Sequence, residues 1–286
     1  MIKKLLIGTT FVTTVLIVVL LLGLKFYRPP LSEKYGKVDV KLFVGNGEGQ
    51  PLIVAFGGSQ GGNTWAEDYW AEARSKFIQH GYALLAIGYF KTENTPEVLD
   101  RISLDAIHDT IMTISNHPKI NKNKIAVLGS SRGGELVLNL ASRYKDFDAV
   151  VALVPSYVTF PSVTITSNTS AWTFNDEELN YVRIPFTAIG SALRGESLKA
   201  TEIALENEDE FAAAIIPVEN ISGPILLLSA KDDALWPSKY MSDKIVSRLT
   251  ENNFKYHYEH FSFDGGHHDT MEHFGKVFEF LDNYFK

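Results

Sequence analysis

Ala126-Val127-Leu128-Gly129-Ser130-Ser131-Arg132-Gly133-Gly134-Glu135-Leu136-Val137-Leu138 is the stretch that sets the expectation for the rest of the chain. An apolar run of β type enters a tight, glycine-flanked turn and leaves it in a helical pattern. Gly129-Ser130-Ser131-Arg132-Gly133 fits G-x-S-x-G, the strand–turn–helix elbow that lifts a serine hydroxyl clear of a sheet edge. The turn is strained, and glycine beside it leaves room where a Cβ would collide with the serine or the crossing helix. The pattern implies acyl transfer through an activated serine, provided that a strand and a helix flank it.

Outward from the elbow, strand and helix signals alternate. Val38 to Val44 alternates apolar and polar residues, as a half-exposed strand does. Leu52–Phe56, Ala83–Gly88, Lys124–Gly129, Ala149–Val154 and Ile225–Ser229 are short buried-strand runs, and His257 to Phe261 adds another. Trp65 to His80 has helical spacing and stops at Gly81, where a positive φ is expected. A long helix is expected after Pro96, with Val98, Ile102, Ile107, Ile111 and Ile114 on one stripe. A last helix is expected from about Asp269 to Tyr284. Continuous apolar strands alternating with helices predict an α/β fold with a mostly parallel sheet covered on both faces. The functional site of such a sheet lies at the carboxyl ends of its strands. Residues 155–219 break the alternation with a polar stretch and an acidic amphipathic segment, Glu196 to Phe211, and read as a lid-like insertion or a solvated excursion.

A serine hydroxyl needs a base to take its proton and a third group to orient that base. The order Ser…Asp…His is expected with this elbow. Asp232 and Asp233 follow the strand Ile225–Ser229 in a turn that ends on Pro237. Asp233 is the expected acid, by its spacing to that proline, and Asp232 reads as a turn former or helix cap. In Gly265-Gly266-His267-His268-Asp269, His267 is the expected base and His268 the fallback. The other histidines, His260 among them, read as structural, and neither a metal nor another cofactor is expected. The oxyanion needs two preorganised N–H donors. One is expected from the amide of Arg132. The other is expected from the glycine-rich loop after Phe56, through Ser59 or Gln60. Trp65, Trp70 and Trp236 lie near these loops, as core packing or as walls of an acyl pocket.

Leu5 to Leu24 carries no charge and is flanked by Lys3, Lys4, Lys25 and Arg28. Twenty helical residues at about 1.5 Å each match a hydrocarbon core of about 30 Å. Residues 1–28 are therefore expected to be a single-pass membrane anchor or a signal peptide, with the catalytic domain outside the cytoplasm. Residues 29–37 read as a stiff linker and 38–286 as the catalytic domain. The chain has no cysteine, which excludes a thiol nucleophile and disulfides. Its net charge is −7, and the four basic residues of the first 28 leave −11 on the remainder. Such an acidic body argues against nucleic acid as a partner and offers no broad attraction to a polyanion.

With these residues in hand, the chain resembles the catalytic C-terminal domain of the acyl-CoA thioester hydrolase / bile acid-CoA:amino acid N-acyltransferase family, over roughly Leu52 to the C-terminus. Gly129-Ser130-Ser131-Arg132-Gly133-Gly134-Glu135-Leu136 resembles the family's nucleophile motif. Ala214 to Ser229, followed by Asp232-Asp233 and Trp236-Pro237-Ser238, is the most specific match. The resemblance implies an α/β-hydrolase fold, with Ser131 as nucleophile, Asp233 as orienting acid and His267 as base. Typical members carry an N-terminal β-sandwich domain. Here about twenty residues separate the linker from the hydrolase core, and the apolar segment stands in that domain's place. The expected function is hydrolysis of acyl thioesters or carboxylic esters, small molecules both, through an acyl-enzyme. Transfer to an amine, a lipid esterase or peptidase of related fold, and a catalytically silent membrane-tethered binding protein are the alternatives.

Overall fold

A computed structural model describes residues 26–286 together with Val15 and Gly23. The rest of the expected anchor, Leu5 to Leu24, lies outside the described residues. Among the described residues no helix is long and apolar enough to cross a membrane.

Seven strands form the main sheet: β1 Asp39–Phe43, β2 Gln50–Phe56, β3 Ala83–Gly88, β5 Ile120–Ser130, β6 Ala149–Leu153, β9 Ile225–Ala230 and β10 Tyr258–Phe263. Their order is β1-β3-β2-β5-β6-β9-β10. Only the edge strand β1 runs antiparallel, against β3, and every other pairing is parallel. The central strands are buried on both faces because side chains alternate across the pleat. Leu52, Val54 and Phe56 point into one core, which is covered by the helices Leu104–Ser115, Arg132–Ala141 and Ser238–Glu251. Ile53 and Ala55 point into the other, beneath the helices Ala71–Gln79 and Phe274–Tyr284. The expected mostly parallel sheet with helices on both faces is what the chain forms.

The strand order reverses between β2 and β5. The loops after these two strands therefore diverge, and they frame the crevice in which open α/β sheets carry their sites. The Gly57–Gly62 loop and Ser131 both lie there.

Three expected helices differ in their starts. Trp65 to His80 is not one helix. It opens with two 3-10 turns, Thr64–Ala66 and Asp68–Trp70, before the α-helix begins at Ala71. Trp65 is buried among Trp70, Phe77 and Phe274, and Arg74 donates 2.8 Å to the Trp65 carbonyl, which fixes the tight turns. The helix after Pro96 starts only at Leu104, where Ser103 Oγ caps the Ala106 amide. The Arg101 and Ile102 amides donate instead to the Ser170 and Ala171 carbonyls, so β4 (Ile102–Ser103) joins the insertion strand β7 (Trp172–Phe174) and Val98 is left exposed. The last helix begins at Phe274, after a 3-10 turn over Asp269–His273. Gly81 has the expected positive φ, +87°.

Between β6 and β9 the chain forms β7, β8 (Glu177–Glu178) and three helices, Phe186–Leu193, Ser197–Ala204 and Glu208–Phe211. The acidic amphipathic segment is thus two short helices rather than one. The stretch expected as a linker is pinned to this insertion and its neighbours. The Tyr27 carbonyl accepts from Thr166 and Asn168, Arg28 pairs with Glu178, and Arg101 donates to the Pro29 and Pro30 carbonyls.

Candidate active site

Ser131 ends the turn between β5 and the helix Arg132–Ala141 with φ 58° and ψ −120°. A non-glycine residue held there carries strain on the order of 1–3 kcal/mol, which persists only where the surroundings fix it. They do so here: the Ser131 amide donates 2.8 Å to the Leu153 carbonyl at the end of β6, and its carbonyl accepts from Glu135 at 3.1 Å. The helix also crosses the strand end very closely. A Cβ on Gly129 would stand 2.1 Å from the Gly133 carbonyl oxygen, so the glycine is obligatory.

The two expected triad partners meet. His267 Nδ1 lies 2.8 Å from Asp233 Oδ2, and both side chains are buried. Asp233 Oδ1 accepts from the amides of Leu235 and Trp236, at 3.0 and 3.2 Å. Burial pushes the Asp233 carboxyl up, but the hydrogen bond and charge of His267, with Ser238 and the Trp236 amide, hold it below the ordinary carboxylate range. A carboxylate in that position makes Nδ1 the donor and leaves Nε2 as the free base. Asp232 and His268 are exposed. Trp236 packs edge-on to the His267 ring at 5.9 Å and donates its indole N–H to the Val154 carbonyl.

Ser131 and His267 line one cavity of about 290 Å³, together with Ser59, Gln60, Trp65 and Trp70. In this conformation no hydrogen bond joins the Ser131 hydroxyl to His267. The loop after β2 reaches the nucleophile turn: a Cβ on Gly58 would stand 3.1 Å from the Ser131 Cβ. Tyr89, buried beneath the loop, donates 2.8 Å to the Gly57 carbonyl and sets its course. Among the described residues the amides of Ser59, Gln60 and Arg132 find no protein acceptor, which leaves three N–H donors beside the cavity. Trp65 and Trp70 form part of its wall.

Sequence reasoning missed what the Arg132 side chain does. It is buried, donates 2.7 Å to Glu135 Oε2 and 2.9 Å to the Pro161 carbonyl, and lies over the rings of Phe160 and Trp172. Glu135, wholly buried, accepts on Oε1 from the Trp172 indole at 2.6 Å and the Phe160 amide at 3.0 Å. This pair ties the elbow helix to the insertion.

A hydrogen-bonded Ser–His–Asp chain lies elsewhere in the sheet, and no motif announced it. Ser229 Oγ lies 2.6 Å from His260 Nε2, and His260 Nδ1 lies 3.3 Å from Asp243. Ser229 is wholly buried near the end of β9, opposite Ser262 of β10, and is not among the residues that line the cavity holding Ser131 and His267. It fills the hydrogen-bonding need of a half-buried histidine whose pKa burial depresses.

A doubly covered parallel sheet with a strained serine elbow at its strand ends defines an α/β-hydrolase, and solved structures share that fold. The Pyrococcus horikoshii acylaminoacyl peptidase matches with TM-score 0.61 at 16% identity, over 87% of this chain and 40% of that one. DcsB, solved in complex with its substrate analogue, matches with TM-score 0.59 at 15% identity, over 87% and 94%. Residues 102–272 match the family model described as BAAT / Acyl-CoA thioester hydrolase C terminal, and the chain belongs to that family. Acyl-coenzyme A thioesterase 6 of Mus musculus is 28% identical over 226 residues, 78% of this chain and 49% of that protein. Acyl-coenzyme A thioesterase 1 of Homo sapiens is 28% identical over 231 residues, 79% and 51%. The chain spans about half the length of the curated relatives it matches.

Proposed function

We propose that the chain is a serine hydrolase that cleaves acyl thioesters or carboxylic esters through an acyl-enzyme. Ser131 Oγ attacks the acyl carbon as its proton passes to His267 Nε2. The amide of Arg132 and that of Ser59 or Gln60 hold the oxyanion. The leaving thiol or alcohol departs with the proton from His267, and water, activated by the same imidazole, releases the acid. Asp233 keeps the imidazole in the productive tautomer and stabilises its cation. The observation that carries the reading is the buried 2.8 Å contact of His267 Nδ1 with Asp233, in a ring that lines the same cavity as the strained serine. The Ser131–Nε2 contact is expected to form with substrate in the cavity, since catalytic hydrogen bonds often tighten only with substrate bound.

The reading includes a membrane anchor in Leu5 to Leu24, supported by twenty uncharged residues between basic flanks, with the hydrolase domain outside the cytoplasm. A fluorophosphonate probe, followed by peptide mapping, is expected to modify Ser131 and not Ser229. The labelled chain is expected in the membrane fraction, and a membrane-impermeant probe is expected to reach it in intact spheroplasts. Labelling at Ser229, or none at all on folded protein, sinks the mechanism; label confined to the soluble fraction sinks the anchor.

Gly58→Ala tests the proposed oxyanion loop. Its new Cβ would press on the Ser131 Cβ at 3.1 Å and the Ser130 carbonyl at 3.2 Å. A displacement below about 1 Å in the reacting geometry is expected to lower kcat about 10²-fold with the fold retained. Turnover within twofold of the parent would place the oxyanion donors elsewhere.

A further inference from the structure

We propose that this site takes acyl esters or thioesters whose leaving group is uncharged, and that it does not recognise the phosphates of coenzyme A. The proposal rests on the serine-hydrolase reading above and narrows its substrate class.

The net charge alone leaves open a local basic pocket, which the cavity lining decides. None of the described residues lining it is a lysine or an arginine. Within two residues of the lining, along the chain, stand Glu67, Asp68, Glu72, Asp233, Asp269 and Glu272. The single cation within that distance is Arg132, and its guanidinium is buried against Glu135 and the Pro161 carbonyl rather than in the lining. Lys91 reaches the loop, donating 3.3 Å to the Gln60 carbonyl, while the buried Arg74 guanidinium is taken up by the carbonyls of Trp65 and Glu67. Lys231 is paired with Asp264 at 2.8 Å.

Coenzyme A carries roughly four negative charges at neutral pH, from one phosphomonoester and a diphosphate. Binding it tightly calls for guanidinium forks or ammonium groups free to face the phosphates. A lining without lysine or arginine, on a body of net charge −11, offers no such set to a polyanion. The rim offers apolar contact instead: Tyr69 and Leu235 are exposed beside Trp70 and Met271. An alcohol or a short neutral thiol meets these surfaces without loss of charge hydration.

The test compares one acyl group on three leaving groups: coenzyme A, N-acetylcysteamine and p-nitrophenol. N-Acetylcysteamine reproduces the thioester end of coenzyme A without its phosphates. The expected kcat/KM for the N-acetylcysteamine thioester equals or exceeds that for the acyl-CoA, and free CoA at millimolar concentration leaves fluorophosphonate labelling of Ser131 unslowed. Asp68→Lys is expected to raise kcat/KM about three- to tenfold for the acyl-CoA and to leave the neutral thioester unchanged. Preference for acyl-CoA by more than about 100-fold, or protection of Ser131 by CoA alone, overturns the inference while leaving the serine mechanism intact. Failure to turn over all three substrates, with no labelling, overturns the hydrolase reading itself and this inference with it.

Discussion

Ser131→Ala is expected to lower kcat about 10⁴- to 10⁶-fold toward every ester or thioester the chain turns over. At about 1.4 kcal/mol per decade this amounts to roughly 5–8 kcal/mol of transition-state stabilisation. The loss is that large because Asp233 and His267 act only through a nucleophile, and the alanine methyl cannot take the acyl group. Stability is expected to change little. Ser131 is partly exposed, its hydroxyl makes no hydrogen bond within the described residues, and an alanine at φ 58° is strained no more than the serine was. Ser229→Ala gives the contrast: it removes the 2.6 Å partner of His260 inside the sheet. That variant is expected to lose about 1–3 kcal/mol of stability and to keep kcat within about threefold. The pair separates the proposed Ser131 triad from the Ser229 chain by opposite signatures. Residual turnover above about 1% in Ser131→Ala, or loss of turnover in folded Ser229→Ala, would reassign the nucleophile.

The contrast also marks what could be read in advance. Ser131 announces itself because the role proposed for it needs a local feature, a glycine-flanked turn between strand and helix. Asp233 and His267 could be chosen over Asp232 and His268 because turn spacing separates each from its neighbour, and the fold buries one of each couple and exposes the other. The central strands were legible as continuous apolar runs because both faces of the sheet are covered. The misread starts have another cause. Ile102 fits a helical stripe, but its amide and that of Arg101 are taken by the carbonyls of Ala171 and Ser170, some seventy residues away. Trp65 fits a helix but sits where one indole must fill a gap between Phe77 and Phe274. No local pattern holds those partners. Glu135 is the extreme case: it looks like an ordinary helical glutamate, and its acceptors are engaged by Phe160 and Trp172 of the insertion.

Glu135→Ala is accordingly the second large expected effect, and it falls on stability. The variant leaves the buried guanidinium of Arg132 with only the carbonyls of Phe160 and Pro161, and it strips the Trp172 indole and the Phe160 amide of their acceptor. Removing one member of a buried ion pair costs about 3–5 kcal/mol. For a domain of this size that is a fall in melting temperature on the order of 10 °C. Glu135→Gln keeps an oxygen for the indole and the amide but not the countercharge, so an intermediate fall is expected. The pH dependence separates charge from packing. Burial lifts the Glu135 carboxyl to about 7, against the pull of Arg132, Trp172 and Phe160. The folded state therefore holds this proton more tightly than the unfolded chain, whose glutamate titrates near 4.5. Stability from this group is then fullest below about pH 4.5 and declines as pH rises to about 7. Melting curves between these limits should show that declining contribution in the parent and lose it in Glu135→Gln. Asp233, depressed rather than raised, contributes with the opposite slope and does so in both proteins, so it cancels in the difference. A difference in melting temperature that is flat with pH would mean that Glu135 holds the elbow to the insertion by shape and hydrogen bonding alone.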